Sequence, residues 1–194
     1  MKTLLCLLFL VITLACSSNK KIVKNCKLNP FEQLDSIQTS KVILKYEVAL
    51  PKSWKKSTSS NADWYFIEKA YLDSLGFQAT NADLYIRKFK IKKECNSRSY
   101  DAKSFLDFYV SYRSKWFIRQ PFNYILLKSK HPIYGDFYII KYKWAVGNFE
   151  YTASSFLLMH NNEGYLLEYR NNSKNFDIYL MDVQKIVQSF KIAS

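Results

Sequence analysis

The sequence predicts an α+β fold, an antiparallel sheet of about six or seven strands with helices on both faces. Three observations carry this. Four strand-like segments follow one another through the second half of the chain, joined by short turns. Two other segments place their apolar residues at helical spacing. Where the strands meet, Ile139 opposite Phe156 and Phe137 opposite Leu158 make both faces of the sheet apolar, which calls for cover on each side. Hydrophobic residues make up 48% of the 194 residues, enough for a core, while four Gly and four Pro exclude a collagen-like or low-complexity chain.

The elements follow in chain order. Residues 41–50 are rich in β-branched and aromatic residues and run into Pro51, the mark of a strand ended by a turn. Trp64 to Ala70 is a second strand and Ala82 to Ile91 a third, with Tyr85, Arg87, Phe89 and Ile91 alternating against Leu84, Ile86, Lys88 and Lys90. Between residues 101 and 119 the period changes: Ala102, Phe105, Leu106, Tyr109, Tyr112 and Trp116 define a helix, started by Ser99 or Asp101 and stopped by Pro121. A meander follows over 122–130, 134–146, 149–160 and 164–170. Its central turn, Gly147-Asn148, suits a two-residue hairpin and sets Trp144 opposite Tyr151 and Tyr142 opposite Ala153. A final helix spans about 173–189, with Phe176, Tyr179, Leu180, Val183, Ile186 and Val187 on one face and a cap from the Asn171-Asn172-Ser173 stretch.

The N-terminus carries an address. Met1-Lys2 precedes an uncharged run from Leu4 to Ala15, which at about 1.5 Å per residue is too short to span a bilayer and reads as a signal-peptide core. Thr13-Leu14-Ala15-Cys16-Ser17 then switches abruptly to small and basic residues and resembles the lipobox of bacterial lipoproteins, although Thr13 stands where that family prefers Leu. The resemblance implies cleavage before Cys16, lipidation of Cys16 and a stable membrane anchor; the plain alternative is a secretory signal with an incidental Cys. On this reading residues 1–15 are the signal, 16–40 a lipidated tether and 41–194 the folded domain. Ser17 after the Cys favours the outer membrane. Cys26 and Cys95 remain in an oxidising compartment, where they either bridge or stay apart if Cys26 rides on a solvated tether.

The opening Leu50-Pro51-Lys52-Ser53-Trp54, the long helix, the meander and the closing Ser189-Phe190 together are similar to the PsbP-like and DcrB-like family. That resemblance implies an α/β/α sandwich used as a non-enzymatic binding or assembly module, and it brings no catalytic residue and no cofactor.

The chemistry-bearing residues are few. No GxSxG, HExxH, P-loop or GxGxxG occurs, and two His limit acid–base chemistry. His131 and His160 fall at one end of the meander, so a small-ligand or metal-dependent periplasmic enzyme with a cleft there is the alternative function. The net charge of +13, with Arg87, Lys88 and Lys90 interleaved among aromatic residues, points to contact with an anionic lipid surface or an acidic envelope protein. Nucleic acid is not an expected partner of an exported chain.

Overall fold

The computed structural model describes residues 26–27, 29–33, 46–57, 63–67, 71–72, 78–79, 82–117 and 121–193. The signal segment, Cys16 and most of the expected tether lie outside the described residues. In chain order the strands are β1 (Phe31–Gln33), β2 (Tyr46–Glu47), β3 (Trp54–Ser57), β4 (Asp63–Ile67), β5 (Tyr71–Leu72), β6 (Gln78–Ala79) and β7 (Asp83–Ile91). After helix α1 (Ala102–Ser114) come β8 (Tyr124–His131), β9 (Gly135–Val146), β10 (Phe149–His160) and β11 (Glu163–Asn172), then helix α2 (Leu180–Ser189) and β12 (Lys191–Ile192).

The main sheet is antiparallel, ordered β3-β4-β7-β11-β10-β9-β8, with β1 paired to β7 beside the far end of β4. Gly147, at φ +58°, and Asn148 close the β9–β10 hairpin, and Trp144 faces Tyr151 and Tyr142 faces Ala153, the register the turn predicts. One helix covers each face. Beneath α1 lie Phe89, Ile140, Ala153, Leu157 and Leu166; beneath α2 lie Leu84, Ile86, Phe156, Leu158 and Leu167. The α+β class and the sheet with helices on both faces therefore stand as the sequence predicts.

Four details differ. Residues expected in the tether belong to the domain: Phe31 is buried against Phe105 and Phe108, and Glu32 pairs with Lys90 in the sheet register. Tyr46–Glu47 does not join the main sheet but pairs with Lys191–Ile192. Helix α1 begins as the Asp101 cap dictates, its carboxylate accepting from the Ser104 amide at 2.8 Å, but ends at Ser114, so Trp116 leaves the buried face and stands exposed. The final helix opens with a 3-10 stretch, Ser173–Tyr179, capped by the Asn172 side chain, before turning α-helical at Leu180.

The two short signatures behind the family resemblance meet in space. Ala49 donates its amide to the Ser189 hydroxyl at 2.8 Å, and Tyr46 packs on the fully buried Phe190. Trp54 reaches α2 through Asp182 at 3.3 Å and lies beside Tyr169 and Tyr179. The Leu50-Pro51 turn and the Ser189-Phe190 end thus serve one structural joint, closing the start of the domain on its end.

Candidate functional site

Strand β8 is the end of the sheet, and among the described residues no strand pairs with its outer side. A strand half-buried by one helix alternates exposed and buried side chains. Here Ile125, Leu126 and Leu127 are 61, 45 and 50% exposed in succession, while the other end of β8 meets α2 through Lys130 and His131. Tyr124 adds to the run, and Lys128 and Lys130 follow it. Lys128 pairs with Asp136 across the β8–β9 ladder at 2.6 Å, and Gln188 meets the Lys130 carbonyl at 3.4 Å. The lysine half of the edge is therefore guarded, as natural sheet edges are, while the Tyr124–Leu127 half is apolar and open.

A groove extends this edge. β9 runs four residues past the last β8 pairing at Tyr142, and a hollow of about 430 Å³ forms there, lined by Phe117, Pro121, Tyr124, Ile125 and Tyr142 among others. Aromatic rings continue from it in contact, Phe117 to Phe122 to Tyr142 to Trp144 to Tyr151, with centroids 4.9–5.7 Å apart. Four consecutive apolar residues, Tyr124 to Leu127, are the sequence signal for this surface, but only the sheet order shows that they sit on an edge.

The groove rests on a buried polar network. Glu168 of β11 accepts from Arg113 at 2.8 Å on both carboxylate oxygens, from Tyr109 at 2.7 Å, from Ser155 at 3.0 Å and from Tyr142 at 3.2 Å. Burial pushes the Glu168 carboxyl up, and the Arg113 guanidinium with the Tyr109 hydroxyl outweighs it, holding the group below its ordinary value. Burial also raises the Tyr109 hydroxyl well above its usual range, with the Glu168 charge adding to the effect, so it stays protonated and donates. Both carboxylate oxygens are engaged within the protein, so the network fastens α1 to the sheet. Sequence reasoning passed over Glu168; its one signal is a lone acid in the apolar run Leu166-Leu167-Glu168-Tyr169.

The basic residues expected to form a contact patch are divided between the two faces of the sheet. Arg87 lies on the α1 face, its guanidinium over the Tyr85 ring at 5.6 Å, while Lys88 and Lys90 alternate to register positions shared with the α2 face. Lys88 pairs with Glu163 at 2.7 Å and Lys90 with Glu32 at 3.3 Å. Period-two geometry separates neighbours onto opposite faces, and ion pairing draws down two of the three charges. Cys26 and Cys95 are joined, with Sγ atoms 2.07 Å and Cα atoms 5.3 Å apart, both buried beside Phe31 and Leu106.

His131 and His160 do lie at one end of the sheet, on either side of the Tyr134 ring, with centroids 4.8 and 5.0 Å away. They do not make a reactive pair. The His131 ring is buried, its Nε2 donating to the Val187 carbonyl at 2.9 Å and its Nδ1 accepting from the Ile133 and Tyr134 amides at 3.2 and 3.3 Å. Both nitrogens are engaged in tying the β8–β9 turn to α2, and among the described residues no three His, Cys, Asp or Glu side chains gather as a metal site. Burial lowers the His131 pKa, the Val187 hydrogen bond offsetting this in part. An imidazole held neutral in the fold contributes stability that is complete above the unfolded value of about 6.5 and declines as pH falls below it, because the unfolded chain takes up the proton first. Urea denaturation is expected to show a fall in stability from pH 7.5 to 5.5, and His131→Asn to flatten that slope; an equal slope in the variant would assign the dependence elsewhere.

No family model matches the sequence, and no curated protein does either. Among solved structures, LpqN, involved in cell envelope biogenesis of Mycobacterium tuberculosis, superposes with a TM-score of 0.53 at 9% identity, covering 77% of this chain and 83% of that one. The cyanobacterial PsbP (CyanoP) of Synechocystis sp. PCC 6803 aligns with a TM-score of 0.46 at 12% identity over 84% of this chain and 93% of that one. At such identities the likeness speaks of architecture: the chain shares the fold of LpqN, an antiparallel α+β sheet with its helices.

Proposed function

We propose that the chain is a bacterial envelope lipoprotein, anchored through Cys16 and facing the periplasm from the outer membrane, whose PsbP-like domain is a non-enzymatic binding module for another envelope component. The observation that carries the binding role is the open, uncharged Tyr124–Leu127 run on an edge strand. Its occupant is an extended segment of a partner protein. Lipid would cover Ile125 and Leu127 but leave the outward N–H and C=O groups of β8 unsatisfied, whereas an added strand pairs them. The net charge of +13 and the lysines that follow the run suit a segment with acidic residues beside its apolar ones. The envelope role of LpqN supports the compartment.

The test is photo-crosslinking in intact cells from position 126, with position 88 as the control, followed by recovery from membranes. A discrete protein adduct is expected from position 126 alone. Leu127→Asp, at a position already half exposed, is expected to cut the adduct roughly tenfold or more with the melting curve unchanged. Cys16→Ala is expected to release the chain from the membrane fraction. Equal adducts from both positions, or an adduct indifferent to Leu127→Asp, would dismiss β8 as the docking edge.

A further inference from the structure

Between the sheet and α2, on the face away from the aromatic groove, lies a cavity of about 290 Å³. Its walls are Phe137, Ile139, Phe156, Phe176, Leu180 and Val187, and it opens past Leu127, Gln184 and Gln188. The strand register arranges it as a slot. Lys141 faces Ser154 at one end, Ile139 faces Phe156 in the middle, and Phe137 lies at the other end beside Val187. Four residues of β9 separate the ends, about 14 Å at strand rise.

The two polar groups at the first end are unusual. Ser154 is 4% exposed and lines the slot, yet among the described residues its hydroxyl makes no hydrogen bond. A buried hydroxyl without a partner costs stability, so a native chain that keeps one calls for an explanation. Lys141 is the single charged residue lining the cavity. Its ammonium rests over the Phe176 ring at 4.7 Å, and its ion pair with Asp177 is at 4.0 Å, the outer limit of such contacts, with the Asp177 side chain 83% exposed to screening water. A donor hydroxyl and an ammonium at the head of an apolar slot are the complement of one ligand class.

We infer that this slot binds a monomeric single-chain amphiphile with an anionic head, the head held by Lys141 and Ser154 and the chain lying between β9, β10 and α2. The volume, just below the roughly 300–1,000 Å³ of small-molecule sites, admits one short chain and not two. The inference rests on the reading of the domain as a binding module and gives it a small ligand in addition to the protein partner at the β8 edge. The two tests separate, because one reads a protein adduct and the other a small molecule.

The experiment uses the full chain carrying Cys16→Ala, titrated with octanoate, octanol and octylammonium and followed by calorimetry and by the amide resonances of Lys141 and Ser154. Octanoate is expected to bind saturably at one site, at least tenfold more tightly than octanol, with octylammonium weakest. Lys141→Gln is expected to erase the preference for octanoate over octanol. Gln184→Trp, an exposed helix position at the mouth, is expected to abolish binding while the remaining amide spectrum is retained. Equal binding of octanol and octanoate overturns the anionic head. Binding that survives Gln184→Trp overturns the site, and absence of saturable binding by all three probes overturns the inference whole.

Discussion

Replacing Arg113 by Leu is expected to destabilise the domain by roughly 3–5 kcal/mol, the cost of removing one partner from a buried ion pair. The asymmetry of burial sets the direction. The Glu168 side chain is 3% exposed and that of Arg113 17%, so loss of the arginine leaves a carboxylate with almost no access to water. Three hydroxyls, from Tyr109, Ser155 and Tyr142, still donate to it, but none supplies a compensating charge. Glu168→Leu is expected to cost less, since the guanidinium keeps its hydrogen bond to the Tyr142 hydroxyl at 2.9 Å and some solvent. The double variant Arg113→Leu with Glu168→Leu is expected to be more stable than Arg113→Leu alone, because it removes the stranded charge. Urea denaturation at pH 7 of the three variants measures this, and a double variant as weak as the sum of the singles would show that the two groups act independently. The linkage has a definite sign. Glu168 is held below its unfolded pKa, so its contribution is present above about pH 4.3 and is lost as pH falls through the folded value.

Loss of the Cys26–Cys95 bond is the second large effect, about 4 kcal/mol in the chain-entropy model for a closed loop of this length. The two residues are 69 apart in sequence, so the unfolded chain regains a large loop when the link is cut. The folded chain also loses a clamp. The segment bearing Cys26 is held further by the Tyr100 hydroxyl on the Cys26 carbonyl at 3.2 Å, by the Lys92 amide on the Pro30 carbonyl at 2.9 Å and by the ladder of β1 on β7. The urea midpoint of the double Cys26→Ala, Cys95→Ala variant is expected to fall accordingly and to be indifferent to reductant, whereas the wild-type midpoint is expected to fall toward it when reductant is added. Amide exchange at Phe31–Gln33 is expected to accelerate more than exchange in β10. A wild-type midpoint unmoved by reductant would dismiss the bond as a contributor to stability.

The wrong and right expectations share a cause. The β9–β10 register was legible because Gly147-Asn148 joins strands adjacent in the chain, so one turn dictates every pair of that hairpin. The α1 cap was legible because Asp101 and Ser104 lie three residues apart. Arg87 does not share a face with Lys88 and Lys90 because adjacency along a strand is not adjacency on its surface, and Glu163 and Glu32, which pair with the two lysines, come from strands distant in sequence. Residues 26–33 read as tether because Cys26 and Phe31 find their partners, Cys95 and Phe105, only after a long excursion of the chain. The helical period places Trp116 on the buried face only while the helix continues, and the helix stops at Ser114.

By itself, then, the amino-acid sequence determined the α+β class, the order of the helices, the antiparallel meander and the register of its central hairpin, since each follows from spacings of two, three or four residues that the chain imposes on its own neighbours. The tertiary structure decided which strand forms the open edge, that Glu168 meets Arg113 across 55 residues, and that Lys141 and Ser154 head an apolar slot beneath α2. Those features depend on which elements lie side by side and where each helix stops covering the sheet. Such contacts are selected by the summed burial of the whole core, a sum that no local pattern contains.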